Sequence, residues 1–408
     1  MLNRIKNMII QDTDNLTSYL LVGLGFFIST SVAGTNFIFL LLILIFMFER
    51  RYKERFNKIK NNPFTYIVLA FLLLHLLGCL WSDNLPMSIE VLHRVKKFLY
   101  IPFLMMFVKK EHVIYYLQAF VAGMMLSEIL TYLVWLEIIP KFMYATDEMP
   151  APLMIHTYYT PYIAMADFLL IYFLLYKKHK TNVQKIITSF FTLTMLLNLF
   201  ITGGRAGQIG FFVLFLVLIL FYFRGRLFKG MIIFGVISSI LLSIVYETIP
   251  LFKDRADKAV YEVTHFVPGK QKTSLGIRMA LNKNYFQVFL ENPLFGVGTG
   301  DYLDAYKEIN EKSLYPTPVT HPHNMYMLIL VQFGVLGMLL FLSIFIYQIY
   351  YGIKVKDDLQ VLRIAFSLFF LVIMMVNWYL YTFNTLFLFI YFSAILYYQY
   401  DEKVKILD

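Results

Sequence analysis

Apolar blocks of about 17 to 25 residues recur along almost the whole of this sequence, and that is the length an α-helix needs to cross roughly 30 Å of hydrocarbon. Inside lipid the backbone must satisfy its own hydrogen bonds, so blocks of this length and composition are read as helices. With 59% of its 408 residues hydrophobic and only 15% charged, against about 25% charged in an ordinary soluble domain, the chain carries more apolar surface than one soluble core can hide. The mean hydropathy of +0.65 is spread over the chain rather than concentrated in one anchor. A polytopic, all-α membrane protein is expected, and a soluble enzyme with one anchor is excluded. The single cysteine, Cys79, permits no intrachain disulfide and no thiolate cluster for zinc or iron.

Apolar spans are expected near 16–33, 35–48, 63–80, 91–108, 113–138, 157–176, 186–201, 207–223, 231–249, 324–351, 361–378 and 380–400, which makes about twelve helices. A net charge of +10 would suggest nucleic acid in a soluble protein, but here the basic residues read as topology signals and no nucleic-acid partner is expected. Arg4 and Lys6, the basic segment 49–62, Lys109 and Lys110, the cluster Lys177 to Lys185, Arg224 to Lys229, Lys354 to Arg363, and Lys403 and Lys405 fall on one side. That side is the cytoplasm by the positive-inside rule, with both termini there. The basic amino end and the small residues Ser31, Val32 and Ala33 imitate a cleavable signal. Cleavage is not expected, because it would reverse the side of the basic segment 49–62.

Between the transmembrane segments 1–249 and 324–408, expected to hold nine and three helices, lies the region 250–323. Its 74 residues far exceed the roughly 12 to 15 at which a structureless loop becomes unusual. A folded, mostly helical outer domain is expected, with helices near 252–265, 274–290 and 301–314. Asn292 and Pro293 end the middle helix, and Gly296, Gly298 and Gly300 make a sharp connection.

Three constellations in the outer segments carry possible chemistry. Thr202, Gly203, Gly204, Arg205, Ala206 and Gly207 place one arginine among small residues between two spans; glycines admit close backbone approach to an anion, and a guanidinium is a planar fork for phosphate. A tight interhelical turn with a snorkelling arginine is the bland alternative. Arg278 and the run Asn292 to Tyr302 suggest a phosphate loop without being a nucleotide fingerprint, since no strand precedes it; by itself Arg278 reads as a solvated charge. His321, Pro322, His323 and Asn324 open a long apolar helix carrying Gly334 and Gly337. A histidine there can exchange protons near neutral pH, or simply hydrogen-bond at the interface, and the two glycines can serve close helix packing.

Glu128 and Asp167 lie inside spans at equal depth, where they could share a proton, as in a proton-coupled transporter, or form a hydrogen-bonded packing pair. Arg94, Lys96 and Lys97 lie on the outer side against the charge bias. They either meet lipid phosphates or sit on a surface-lying helix.

Taken together, these segments resemble the O-antigen ligase and polymerase superfamily of bacterial envelope proteins over most of the chain. Ile201 to Gly210 is similar to the family's short outer loop with a glycine-flanked arginine, and Arg278 with Asn292 to Tyr302 to its large periplasmic loop. His323 and Asn324, nine residues, Gly334, two residues and Gly337 match the ligase motif, with Met338 where threonine is often seen. Leu80 to Asp83 and the basic segment ending at Lys97 are similar to its early outer loop.

The resemblance implies a multispanning glycosyltransferase of the bacterial inner membrane that moves polysaccharide from undecaprenyl diphosphate to the lipid A-core oligosaccharide. It implies Arg205 and Arg278 as ligands of the donor diphosphate and His323 as general base, supported by His321, Asn324 and Gly204. A glycosyl diphosphate already holds its leaving-group energy, so no cofactor is expected. Two guanidiniums can stabilise the departing charge in place of a metal, and a single displacement without a carboxylate nucleophile predicts inversion. A polymerase or protein O-oligosaccharyltransferase of the same superfamily, and a flippase or transporter of lipid-linked sugars, remain as alternatives.

Overall fold

The computed structural model describes residues 2–176, 181–265, 274–314 and 316–399, with the backbone only for residues 2–11, Val263 and Ser274. Lys177, Lys178, Lys180, Lys403 and Lys405, all used in the charge pattern, lie outside the described residues. Among the described residues all regular structure is helical: α1 Leu2–Thr30, α2 Val32–Glu49, α3 Tyr52–Ile59, α4 Pro63–Leu77, α5 Leu85–Val95, α6 Tyr100–Met105, α7 Val113–Trp135, α8 His156–Tyr176 and α9 Asn182–Ile201. There follow α10 Arg205–Tyr222, α11 Leu227–Thr248, α12 Pro250–Thr264, α13 Ser274–Glu291, α14 Tyr302–Lys312, α15 Met325–Lys354, α16 Gln360–Ile373 and α17 Phe383–Tyr397.

Eight helices are long and apolar enough to cross a membrane, and α16 and α17 are shorter apolar helices. The described residues are thus all-α, and eight candidate crossings by length and composition, rather than twelve, are consistent with a polytopic membrane protein. The span read near 91–108 is not one helix, since a 3₁₀ turn over Lys96–Leu99 separates α5 from α6. Pro102 in α6 has no N–H for the carbonyl four residues earlier, and its ring crowds that carbonyl, so a continuous helix through Phe98 is disfavoured.

The helix pairs α1 with α7, α8 with α10, and α10 with α16 pack against each other most extensively. Glycines set their closest approach: a Cβ at Gly207 would lie 2.2 Å from the Thr160 backbone carbon. At one end of the bundle Arg55, 1% exposed, donates to Glu49 at 2.7 Å and Asp14 at 2.7 Å, so part of the basic segment 49–62 is committed to internal ion pairs.

The long helix α15 is broken at Gly334, whose φ of 63° and ψ of −159° lie outside the helical region. A break inside an apolar bundle exposes amides and carbonyls, each costing several kcal/mol if left bare. The segment Pro293–Gly298 fills it: Val297 and Gly298 donate to the carbonyls of Val331 and Gln332 at 2.9 Å each, and Val335 donates to Pro293 O at 2.8 Å. Gly300 N–H reaches Gln332 Oε1 at 2.9 Å. Gly296, Gly298 and Gly300 all have positive φ, and a Cβ on any of them would run into neighbouring backbone. These glycines therefore serve backbone-to-backbone docking rather than a phosphate loop, and the residues after the break, 335–354, still suffice for a crossing of about 20 residues.

Region 250–323 folds into α12, α13 and α14, close to the three helices expected. Its buried side chains, including Leu281, Tyr285 and Tyr306, join the same apolar cluster as the bundle. Near the start of α15, Asn282 Nδ2 donates to Pro322 O at 3.2 Å and Tyr285 OH to Thr320 O at 2.7 Å. Helix α13 and the first part of α15 are thus tied at both ends.

Gly334→Ala and Gly296→Ala should each lower the thermal unfolding temperature by several degrees, since an L side chain there costs about 1 to 2 kcal/mol of backbone strain before any overlap is relieved. Gly235→Ala, where a Cβ meets open space in α11, should leave it unchanged or raise it slightly. Equal melting curves for all three variants in detergent would remove the docking role assigned to the break.

Candidate active site

The ends of α7, α9 and α11 and the starts of α8, α10 and α12 meet around one cavity of about 960 Å³. These are the helix ends that the charge pattern assigns to the outer side. Arg205 and Arg278, far apart in sequence, both line it.

Arg205 is placed by a local device. Helix α9 ends at Thr202, Gly203 turns the chain at φ +70°, and Gly204 begins α10 without a side-chain cap. The first N–H groups of α10 thus end at the cavity wall, together with Arg205 and Ala206, an arrangement suited to an anion. A Cβ on Gly204 would strike Thr160 Oγ1 at 2.0 Å, so Gly204 acts by letting α10 approach α8.

Arg278 enters from α13 and is partly buried. Burial, and then the like charge of Arg205, pull its pKa below the usual arginine range, while Tyr379 opposes them; the group stays cationic at any physiological pH. Arg255, on α12, also lines the cavity, and the sequence reading missed it. Its guanidinium donates to Gly203 O, while Arg205 Nη2 donates to Arg255 O at 3.4 Å. Among the described residues, none of the three guanidiniums has a carboxylate oxygen within 4.0 Å. Nothing in the amphipathic pattern of 252–265 distinguishes Arg255 from its solvated neighbours Lys253 and Lys258.

His323 stands beside the cavity rather than on its lining. It has a φ of 49°, an uncommon backbone state for a side-chain-bearing residue, and its Nδ1 is buried with no hydrogen-bond partner among the described residues. Burial and then Arg278 lower its pKa, against an opposing contact with Asn377, and Asn377 is itself a lining residue. The structure thus brings the two sequence-identified arginines to one cavity and sets His323 next to it.

His321 is more constrained than its place in an extended segment suggests. Its ring stacks on Trp378 with centroids 3.8 Å apart and planes 13° from parallel, and lies 4.0 Å from the His323 ring. Its Nδ1 accepts from the His323 N–H at 3.2 Å. Arg94 covers Trp378 at 4.9 Å, which gives this arginine a partner in the protein. Asn324 caps α15 by accepting from Tyr326 N and Met327 N at 3.0 and 3.3 Å.

Glu128 and Asp167 are buried in α7 and α8, and no carboxyl oxygen of either has a hydrogen-bond partner among the described residues. They form no hydrogen-bonded pair, and neither lines the cavity.

Burial first, and then the charges of His323, Arg94 and Arg278, hold the His321 pKa down to about 3. Unfolded, it would titrate near 6.5, so between these values the unfolded chain binds the extra proton and stability is lost as pH falls. The melting temperature should therefore decline from about pH 7 towards pH 4, and less steeply in His321→Phe, which keeps a ring on Trp378 but cannot titrate. Identical pH slopes for the two proteins would show that His321 is not buried neutral.

Residues 190–342 match the family model described as O-Antigen ligase. The matched span holds Arg205, Gly203, Arg255, Arg278, His321, His323 and both halves of the broken helix up to Leu342. No curated protein matches the chain. The match covers the three arginines of the cavity wall and the histidine pair, and over residues 190–342 it supports a likeness to the O-antigen ligase and polymerase superfamily.

Proposed function

We propose that this protein is an O-antigen ligase of a bacterial inner membrane, moving polysaccharide from undecaprenyl diphosphate to the lipid A-core oligosaccharide at the periplasmic face. The observation that carries the reading is the gathering of Arg205 and Arg278 at one cavity, unpaired with carboxylates among the described residues, beside His323. The positive-inside pattern supports cytoplasmic termini and a periplasmic cavity.

In the reaction the acceptor hydroxyl oxygen attacks the anomeric carbon from the face opposite the diphosphate. The new glycosidic C–O bond forms as the bond from carbon to diphosphate oxygen breaks, and that electron pair leaves with the diphosphate. Arg205, Arg278 and the uncapped start of α10 stabilise the growing charge. The acceptor's proton passes to the imidazole of His323, which its lowered pKa keeps neutral and able to accept. One displacement inverts the anomeric centre, and the guanidiniums supply the charge that a metal would otherwise bring, so transfer is expected to be metal-independent.

A polymerase or a protein O-oligosaccharyltransferase would use the same donor chemistry with another acceptor. A deletion strain separates ligase, polymerase and flippase: bare core with accumulated lipid-linked polymer means ligase, core bearing one repeat means polymerase, and donor trapped on the cytoplasmic side means flippase.

With purified donor and acceptor, His323→Ala should lower transfer by about 10²- to 10⁴-fold while donor still binds. Arg205→Lys and Arg278→Lys, which keep charge but lose the two-pronged geometry, should each lower it at least about tenfold. Parental activity in His323→Ala would remove the base assignment, and loss of parental activity on chelation would point to a metal. The orientation has its own test: a cysteine replacing the exposed Lys312 of α14 should be labelled from outside in intact spheroplasts, and labelling only after lysis would reverse the topology.

A further inference from the structure

We infer that Arg255 is a third ligand of the donor and makes the site select a lipid diphosphate over a lipid monophosphate; this rests on the diphosphate reading of the cavity. Four observations bear on it. Arg255, Arg205 and Arg278 line the same cavity. Arg205 lies within electrostatic reach of both other guanidiniums. Like charges gathered in a partly buried wall repel one another; Asp147, Glu148, Asp254 and Glu262 line the same cavity, and Glu148 and Asp254 offset part of that repulsion at Arg255, so an anion held directly by the guanidiniums removes what is left. Lys258 on the same wall is already paired with Asp254 at 2.7 Å, whereas Arg255 has no carboxylate within 4.0 Å among the described residues.

The turn after α9 is shaped to receive this guanidinium. Arg255 donates to Gly203 O, and a Cβ on Gly203 would lie 2.7 Å from Arg255 Nη1 and 3.0 Å from Cζ. At φ +70° the position also disfavours any side chain. The bonds between Arg255 and the Gly203–Arg205 turn run both ways, since Arg205 donates to Arg255 O. Arg255 is therefore held next to Arg205 by the backbone; its Nη2 also donates to Met149 Sδ at 3.5 Å, and of the five N–H groups of a guanidinium the remaining three are left to meet a ligand.

The chemistry of the ligand follows from the number of guanidiniums on the wall that no carboxylate within 4.0 Å engages among the described residues. Each further phosphate adds one negative charge: a sugar-linked lipid monophosphate carries one and the diphosphate two, and the free lipid phosphate and diphosphate up to two and three. Arg205 and Arg278 suffice for one phosphate. A third guanidinium adds strength only where a second phosphate is present, so Arg255 reads the difference between the two lipid classes.

The test uses the full chain in nanodiscs and measures binding of undecaprenyl diphosphate, undecaprenyl phosphate and inorganic pyrophosphate to the parent, Arg255→Met, Arg255→Lys, Gly203→Ala and Arg205→Met. The parent should prefer the lipid diphosphate to the lipid monophosphate. Arg255→Met should cut that preference by about tenfold or more, the worth of one charge-assisted contact, with monophosphate affinity changed less than about threefold. Gly203→Ala, which keeps every charge but displaces the guanidinium, should cut the preference in the same direction, and Arg255→Lys should fall between. An intact preference in Arg255→Met and Gly203→Ala, alongside lost diphosphate binding in Arg205→Met, overturns this inference and leaves the site reading standing. Failure of the parent to bind undecaprenyl diphosphate overturns both. Pyrophosphate binding as tight as the lipid's would replace the lipid diphosphate with a free one.

Discussion

The broken helix α15 and the loop that mends it hold the rest of the site in place. At Gly334 the helix gives up its own hydrogen bonds, and the backbone of Pro293 to Gly298 supplies replacements. In an apolar bundle neither partner is tolerable without the other, because bare amides and carbonyls cannot turn to water. The same loop is pinned on its far side, where Thr299 N–H donates to Gly78 O at 3.0 Å and its Oγ1 to His75 O at 2.7 Å. One short segment therefore fastens α13, α15 and the end of α4 together.

That fastening places the chemistry. Arg278 stands about 13 residues before the end of α13, and His323 about 11 before the break, distances of roughly 20 and 16 Å along a helix. With both helices tied at the break and again through Asn282 and Tyr285, Arg278 and His323 meet at the upper end. Burial, and then this arginine, lower the histidine's proton affinity. In the proposed reaction a diphosphate arriving at the guanidiniums would weaken the arginine's effect and so couple donor binding to the strength of the base.

A second constraint fixes the opposite wall. Gly204 and Gly207 let α10 approach the Thr160 backbone of α8 until no Cβ would fit, and the turn that makes this possible also aims Arg205 and receives Arg255. Arg94, Trp378 and His321 stack on one another beside His323, none of them on the cavity lining. Glu128 and Asp167 are buried in α7 and α8, and neither lines the cavity.

Composition and block length by themselves determined the class: chains this apolar cross membranes as helices, because burial area and backbone hydrogen bonding leave no other solution. Local patterns also showed where charge and proton chemistry could reside, since a glycine-flanked Arg205 and the pair His321 and His323 stand out in outer segments. Only the tertiary structure decided their partners. The glycine run 296–300 looked like a ligand loop, yet its glycines serve backbone contacts with residues such as Gly78 and Gln332 that are remote in sequence. Arg255 had the same helical spacing as solvated lysines and differs from them only in facing Gly203 across 52 positions. Periodicity reports which face of a helix is apolar, but not what stands opposite a charge, and it is the opposing group that leaves one basic residue in solvent and holds another at the cavity wall.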